Sequence, residues 1–270
     1  MDLQLGLVPV VDDRHTRTAL DRVAERLAAA TGRRCSIHAV VSPNALRAAY
    51  AGGEVNLVWS SPTLALGAPE LKGAVPVATC VRQGLARYHG VVFVRRDASV
   101  RVAADLRGRT MAWVAPTSAA GYIFPRVALA AQGLPPRGLF SEERFLDTHG
   151  AVVLAVIDGH VDAGATFAVF EDGDALRPMV RAGFVDLGYE DEVRVVLTTP
   201  PIPSDLFVAT PALSASLGPR LHQAIESTAT DDPEAFHRVF GADGVVPPDL
   251  HALGELRRQV EDARALGILE

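Results

Sequence analysis

The chain is short of cysteine, with only Cys35 and Cys80 in 270 residues. Neither has a CxxC neighbour or metal-type spacing around it, so both are expected to be buried, inert thiols rather than a redox pair or metal ligands. No apolar run approaches the length of a membrane span. Basic residues are outnumbered, 26 Lys and Arg against 32 Asp and Glu, for a net charge of -6. No dense Lys/Arg stripe with interleaved aromatics offsets that balance, which excludes non-specific nucleic-acid binding. There is no low-complexity block, so the chain is neither disordered nor fibrous. G-x-S-x-G elbow, P-loop, G-x-G-x-x-G and H-E-x-x-H patterns are all missing. The acidic run Tyr189 to Glu192 lacks ligand spacing and reads as a solvated turn, so no metal and no cofactor are expected. The amino terminus, Met1 to Pro9, enters a strand pattern without a basic n-region, an apolar h-region or a cleavage site. As written the chain is expected to be cytoplasmic, and periplasmic or surface-bound only if an export segment has been removed.

What is present is a large hydrophobic fraction, 49%, in a chain long enough for one large domain or two of ordinary size. Val/Ile/Leu-rich runs at Leu5 to Val10, Ser36 to Val41, Asn56 to Ser60 and Val75 to Val81 read as buried strands of a parallel sheet. Between the first two, Leu20, Val23, Ala24 and Leu27 fall at helical spacing over Thr16 to Ala30, and Gly32 supplies a C-cap. Pro43 to Ala51 is a shorter helix ended by Gly52-Gly53.

The character changes at Tyr88 to Val94, a longer strand that marks a first crossing between lobes. A second series follows: a strand over Thr110 to Ala115, helices over Ala119 to Gln132 and His149 to Asp158, and a strand over Val161 to Phe167. The β-branched run Glu192 to Thr199 and the Pro-rich corner Pro200 to Asp205 form the return crossing. Helical patterns at Ala212 to Thr228, Pro233 to Phe240 and Asp249 to Ala265 complete the chain. The expected fold is α/β, two lobes joined by two crossing strands with a ligand cleft between them. Residues 1–86 with 201–270 form one lobe, and 87–200 form the inserted one.

One stretch points to chemistry. From Trp113 to Tyr122 a short apolar strand turns through Pro116, Thr117 and Ser118 into a helix start. Such a start directs unpaired backbone N–H groups and partial positive charge outward, which suits an anion.

Gly6 to Pro9, Asn56 to Pro62, Arg82 through Tyr88 to Arg95, Asp105 to Arg109, Asp162 to Gly164 and Ile202 to Asp205, taken in order, resemble the phosphate, phosphite and phosphonate substrate-binding proteins of ABC transporters, grouped more broadly with aliphatic-sulfonate binders and transferrins in the type II periplasmic-binding-protein class. Gly6-Leu7-Val8-Pro9 resembles that family's opening strand, and Asn56 to Pro62 its apolar-Trp-x-x-Pro corner. Arg82 through Tyr88 to Arg95 resembles its crossing strand, and Asp105-Leu106-Arg107-Gly108-Arg109 its Asp-Leu-Lys-Gly-Lys turn. Asp162-Ala163-Gly164 and Ile202-Pro203-Ser204-Asp205 resemble its later strand and return.

The resemblance implies that Ser118, Ala119, Ala120 and Gly121 stand where the family has Ser-Thr-Ser-Gly gripping an oxyanion. Two hydroxyls are thus replaced by methyl groups, with Thr117 and Tyr122 as substitutes. Asp147-Thr148-His149-Gly150 resembles a Ser/Thr-His-Asp corner with Gly150 for the aspartate, leaving His149 as a donor. Trp59, Ser60 and Ser61 are expected to wall the ligand from the other lobe, Tyr88 to face it in preference to His89, and Asp205 to accept from it.

The resemblance implies a solute-binding protein that closes by hinge motion over a small oxyanion, phosphonate- or phosphate-like, with an ABC permease or a cytosolic sensor as partner. The alternative is a cytosolic enzyme on the same fold acting on a small carboxylate, with His149 and Asp205 as its acid and base.

Overall fold

The computed structural model describes residues 1–9, 13–135 and 137–269. Val10, the expected end of the first strand, lies outside them. The chain divides into two compact units: Met1–Ala86 with Pro203–Glu255, and Arg87–Ile202 with the segment from Leu256 onward. That last segment differs from the expected division, which kept all of 201–270 in the first lobe.

The chain opens with β1 (Leu3–Leu7), α1 (Arg14–Thr31), β2 (Cys35–Ala39), α2 (Pro43–Ala51), β3 (Leu57–Ser60), α3 (Pro62–Gly67) and β4 (Val75–Val81). In α1 the Asp13 carboxylate accepts from the Thr16 N–H at 2.7 Å, and Gly32 at φ 68° ends the helix with its N–H on Ala28 O. Leu20, Val23 and Leu27 are buried, as the helical spacing predicts. The second unit holds β5 (Arg87–Arg95), β6 (Thr110–Trp113), a π turn over Ala119–Ile123 running into α4 (Phe124–Ala131), β7 (Glu142–Phe145), α5 (His149–Ile157), β8 (Ala163–Phe170), β9 (Met179–Ala182) and β10 (Val193–Thr198). After a two-residue β11 (Ile202–Pro203) come β12 (Leu206–Ala209), α6 (Pro211–Leu217), α7 (Pro219–Asp231), α8 (Pro233–Phe240), β13 (Gly244–Val246) and α9 (Leu250–Ala265).

The sheet of the first unit has the order β13-β4-β12-β3-β1-β2. β1 pairs in parallel with β2 and β3, while β12 lies antiparallel between β3 and β4. The expected all-parallel sheet is therefore corrected to a mixed one. An antiparallel strand in mid-sheet is also buried on both faces, so its apolar run carries no sign of direction. One face packs on α1, α7 and α8 through Leu5, Val23, Ile225, Phe236 and Phe240; the other packs through Leu46, Val55, Val58 and Leu206. The single helix expected over 212–228 is two helices, broken at Gly218 (φ 53°) and Pro219. Proline has no N–H to continue the ladder, and its ring clashes with the preceding turn.

In the second unit the path is β10-β5-β8-β6-β7, with β9 on β8. β6 is parallel to β7 and β8, and β5 is antiparallel to β8 and β10. Its two faces have separate cores, one around Trp113, Leu129 and Val92, the other around Phe93, Val153 and Phe184. Among the described residues no helix is long and apolar enough to cross a membrane.

Candidate functional site

The carboxyl ends of β6 and β7 carry two helix starts side by side in the second unit. The ladder continues past both strands, with Leu146 N–H on Trp113 O (3.0 Å) and Asp147 N–H on Val114 O (2.8 Å). From these tied points the chain leaves toward Ser118 on one side and Thr148 on the other. Asp147 sits at φ 65°, a left-handed turn that Asp tolerates better than most residues. In open α/β sheets this edge, beyond the strand carboxyl ends, is where ligands bind.

Ser118 caps the first helical run: its Oγ accepts from the Gly121 N–H at 3.1 Å. The run begins as a π turn, closed by the Ile123 N–H on Ser118 O at 2.9 Å and the Phe124 N–H on Ala119 O. The N–H groups of Ala119 and Ala120 head this run and have no helical acceptor. Gly121 is required by space, because a Cβ there would press into Val114 and lie 2.8 Å from Ser118 Oγ. Gly90 on β5 plays the same part from beneath: a Cβ would come 2.9 Å from Ala120 O and 3.0 Å from Pro125 Cγ. Thr117 is exposed beside this start, and Ala119 and Ala120 turn their methyl groups into buried surroundings.

His149 is the first residue of α5, behind Thr148, whose hydroxyl caps the Ala151 N–H at 3.1 Å. Its Nδ1 lies 2.9 Å from Thr166 Oγ1 on β8, and its ring stands edge-on to Phe167 at 5.1 Å. Burial holds the pKa of His149 below the usual histidine value, which favours the neutral ring. Tyr122 follows Ser118 in sequence but turns elsewhere. Its ring packs edge-on against Trp113 at 5.4 Å and Phe145 at 5.1 Å, and the buried Arg126 guanidinium lies 5.2 Å from it. Arg126 pairs with Glu143, which also accepts from Trp113 Nε1 at 2.7 Å. Tyr88 is half-buried on β5, while His89 is buried with Nδ1 2.8 Å from Thr199 O.

The expected site residues of the first unit are engaged within that unit. Trp59 is buried in its core, donating from Nε1 to Cys80 Sγ at 3.3 Å and meeting Phe240 edge-on. Ser60 is buried, and Ser61 caps α3 at the Leu64 N–H (3.4 Å) while contacting Thr63 Oγ1 at 3.1 Å. Asp205 accepts from Arg82 Nη2 at 2.5 Å, and Arg82 also donates to Gly241 O and Phe240 O. This carboxylate is held by an arginine. Cys80 is buried as expected, whereas Cys35 is half-buried; burial pushes the Cys80 thiol up to about 12 and the Cys35 thiol up to about 11. Among the described residues no cluster of His, Cys, Asp and Glu suits a metal.

Sequence reasoning missed Thr166 and Arg126. A lone Arg in the apolar segment Phe124–Ala131 is a signal for the second. Nothing local marks the first.

A family profile described as "ABC transporter, phosphonate, periplasmic substrate-binding protein" matches residues 5–253. The chain belongs to this family. Among solved structures, XAC2383 from Xanthomonas citri bound to ATP is 23% identical over 97% of this chain and 98% of that one, with a TM-score of 0.76. PhnD1 from Prochlorococcus marinus, in complex with methylphosphonate, is 14% identical over 97% and 98% of the two chains, TM-score 0.64. The alkanesulfonate-binding protein SsuA from Xanthomonas axonopodis pv. citri, bound to MOPS, is 17% identical over 100% and 94%, TM-score 0.53. These likenesses establish the fold as that of type II periplasmic binding proteins. Nothing in them supports the carboxylate enzyme.

Proposed function

We propose that this chain captures, without covalent chemistry, a small ligand whose phosphonate or phosphate group sits on the backbone N–H groups of Ala119 and Ala120. The Ser118 and Thr117 hydroxyls and the His149 ring complete the set of donors. What carries this reading is the pair of helix starts tied to adjacent strand ends by the Leu146 and Asp147 backbone bonds. Two helix starts at one edge concentrate orphan donors and positive potential where a tetrahedral anion fits. Ser118 Oγ uses a lone pair on Gly121 and keeps its own hydrogen for the ligand.

Methylphosphonate, ATP and MOPS, held by the three structural relatives, share a tetrahedral oxyanion head. Each hydrogen bond to a charged group contributes about 1.5–3 kcal/mol. Replacing two family hydroxyls by Ala119 and Ala120 therefore leaves a grip that leans on backbone N–H groups. Family membership supports an ABC permease as the partner that receives the loaded protein. Titration calorimetry with methylphosphonate, inorganic phosphate, ATP, methanesulfonate and acetate tests the reading. Saturable binding of one or more of the tetrahedral anions, without turnover and with acetate silent, is the expected result. Tight acetate binding or product formation would overturn it.

A further inference from the structure

The imidazole of His149 has two nitrogens, and its contact on Nδ1 decides what Nε2 presents. Thr166 Oγ1, 2.9 Å from Nδ1, is fully buried on β8. Thr166 is β-branched and stiff at χ1, and Gly183 closes on its hydroxyl so tightly that a Cβ there would collide with Oγ1. The ring packs edge-on against Phe167, over which the Arg181 guanidinium lies at 5.5 Å, itself paired with Asp186 at 2.6 Å. Asp147 precedes it by two residues and is exposed.

A hydroxyl can donate or accept, and a neutral imidazole carries one N–H and one lone pair. If Thr166 accepted, Nε2 would turn a lone pair toward an oxyanion and repel it. If Thr166 donates, Nε2 carries the hydrogen and the uncharged ring becomes a donor. We propose that Thr166 is a positioning residue of the anion site, donating its hydroxyl hydrogen to His149 Nδ1 and locking the Nε2–H tautomer that faces the ligand. This rests on the placement of the oxyanion at His149 proposed above.

The tautomer is read directly from the ¹⁵N chemical shifts of His149 in the full chain at pH 7.5, with and without methylphosphonate. The expected spectrum has a bare Nδ1 and a protonated Nε2; a protonated Nδ1 overturns the proposal without any variant. Thr166→Val keeps the shape and removes the hydrogen. It is expected to shift the tautomer toward Nδ1–H and weaken methylphosphonate binding about tenfold at pH 7.5. It should also make binding tighten as pH falls and the ring charges. Thr166→Ser is expected to restore tautomer, affinity and pH profile. An unchanged tautomer in Thr166→Val, with His149→Ala still losing affinity, sinks only the Thr166 assignment. Unchanged affinity in His149→Ala sinks the ligand placement itself.

Discussion

Ser118 holds two functions on one oxygen, since it caps Gly121 and stands beside the proposed oxyanion. Asp caps as well as Ser, so Ser118→Asp preserves the helix start while putting a negative charge against the ligand. Methylphosphonate binding is expected to weaken at least tenfold, about 1.4 kcal/mol, with the melting temperature not lowered. Calorimetry and scanning fluorimetry on one preparation separate the two effects, and unchanged affinity would remove Ser118 from the site. Asp205 gives the opposite pattern. Its partner Arg82 is about one-third exposed, so the pair contributes about 1 kcal/mol or less. Asp205→Asn should lower the melting temperature by about 2–4 °C and leave affinity unchanged; a lost affinity would return Asp205 to the ligand. The contrast shows which residues a sequence exposes. The helix starts at Ser118 and His149 were legible because capping and corner chemistry are local. The surroundings of Trp59, Tyr122 and Asp205 were not legible, because Phe240, Arg126 and Arg82, which engage them, arrive by packing or pairing that their own neighbourhoods do not announce.

At the scale of elements, α5 bears directly on β8 at Gly164. A Cβ there would lie 2.7 Å from Val152 Cγ1 and 2.9 Å from Val156 Cγ2. Gly164→Ala must lift the helix or twist both valines, and overpacking of this kind costs about 1–3 kcal/mol. Because α5 opens with His149, the variant is expected to lose both melting temperature and methylphosphonate affinity, whereas Val152→Ala should lower stability with a smaller effect on binding. Equal affinity in Gly164→Ala and the parent chain would show that α5 does not set the site. The strand and helix rhythm, the caps at Gly32 and Ser118 and the long strands β5 and β10 were readable from periodicity and turn residues. The short strands β7, β9, β12 and β13 were not, at three or four residues each. β7 and β9 carry charges that break an apolar run, and the central place of β12 depends on partners distant in sequence.

At the scale of the whole molecule there are two units, each with cores of its own, so unfolding need not be a single two-state step. A ligand held by donors of the second unit stabilises by mass action, and methylphosphonate at a hundredfold excess over its Kd is expected to raise the calorimetric transition of that unit. Acid should act on the same unit through His149. Its pKa is depressed in the folded state relative to about 6.5 in the unfolded chain. The unfolded form therefore takes up the proton first, so the stabilisation linked to the neutral ring is complete above that value and is lost as pH falls toward the folded pKa. Asp97, Asp105, Glu142 and Asp232 also have lowered pKa values, from pairing with arginines or from backbone N–H groups, but they titrate below the ordinary carboxylate range and leave this window to other groups. Melting curves taken in half-unit steps from pH 8 to pH 5 should fall more steeply for the parent chain than for His149→Gln, which has no ring to charge. Parallel curves would mean that the ring is not held neutral by its surroundings, and the uncharged donor proposed for the anion site would lose its basis.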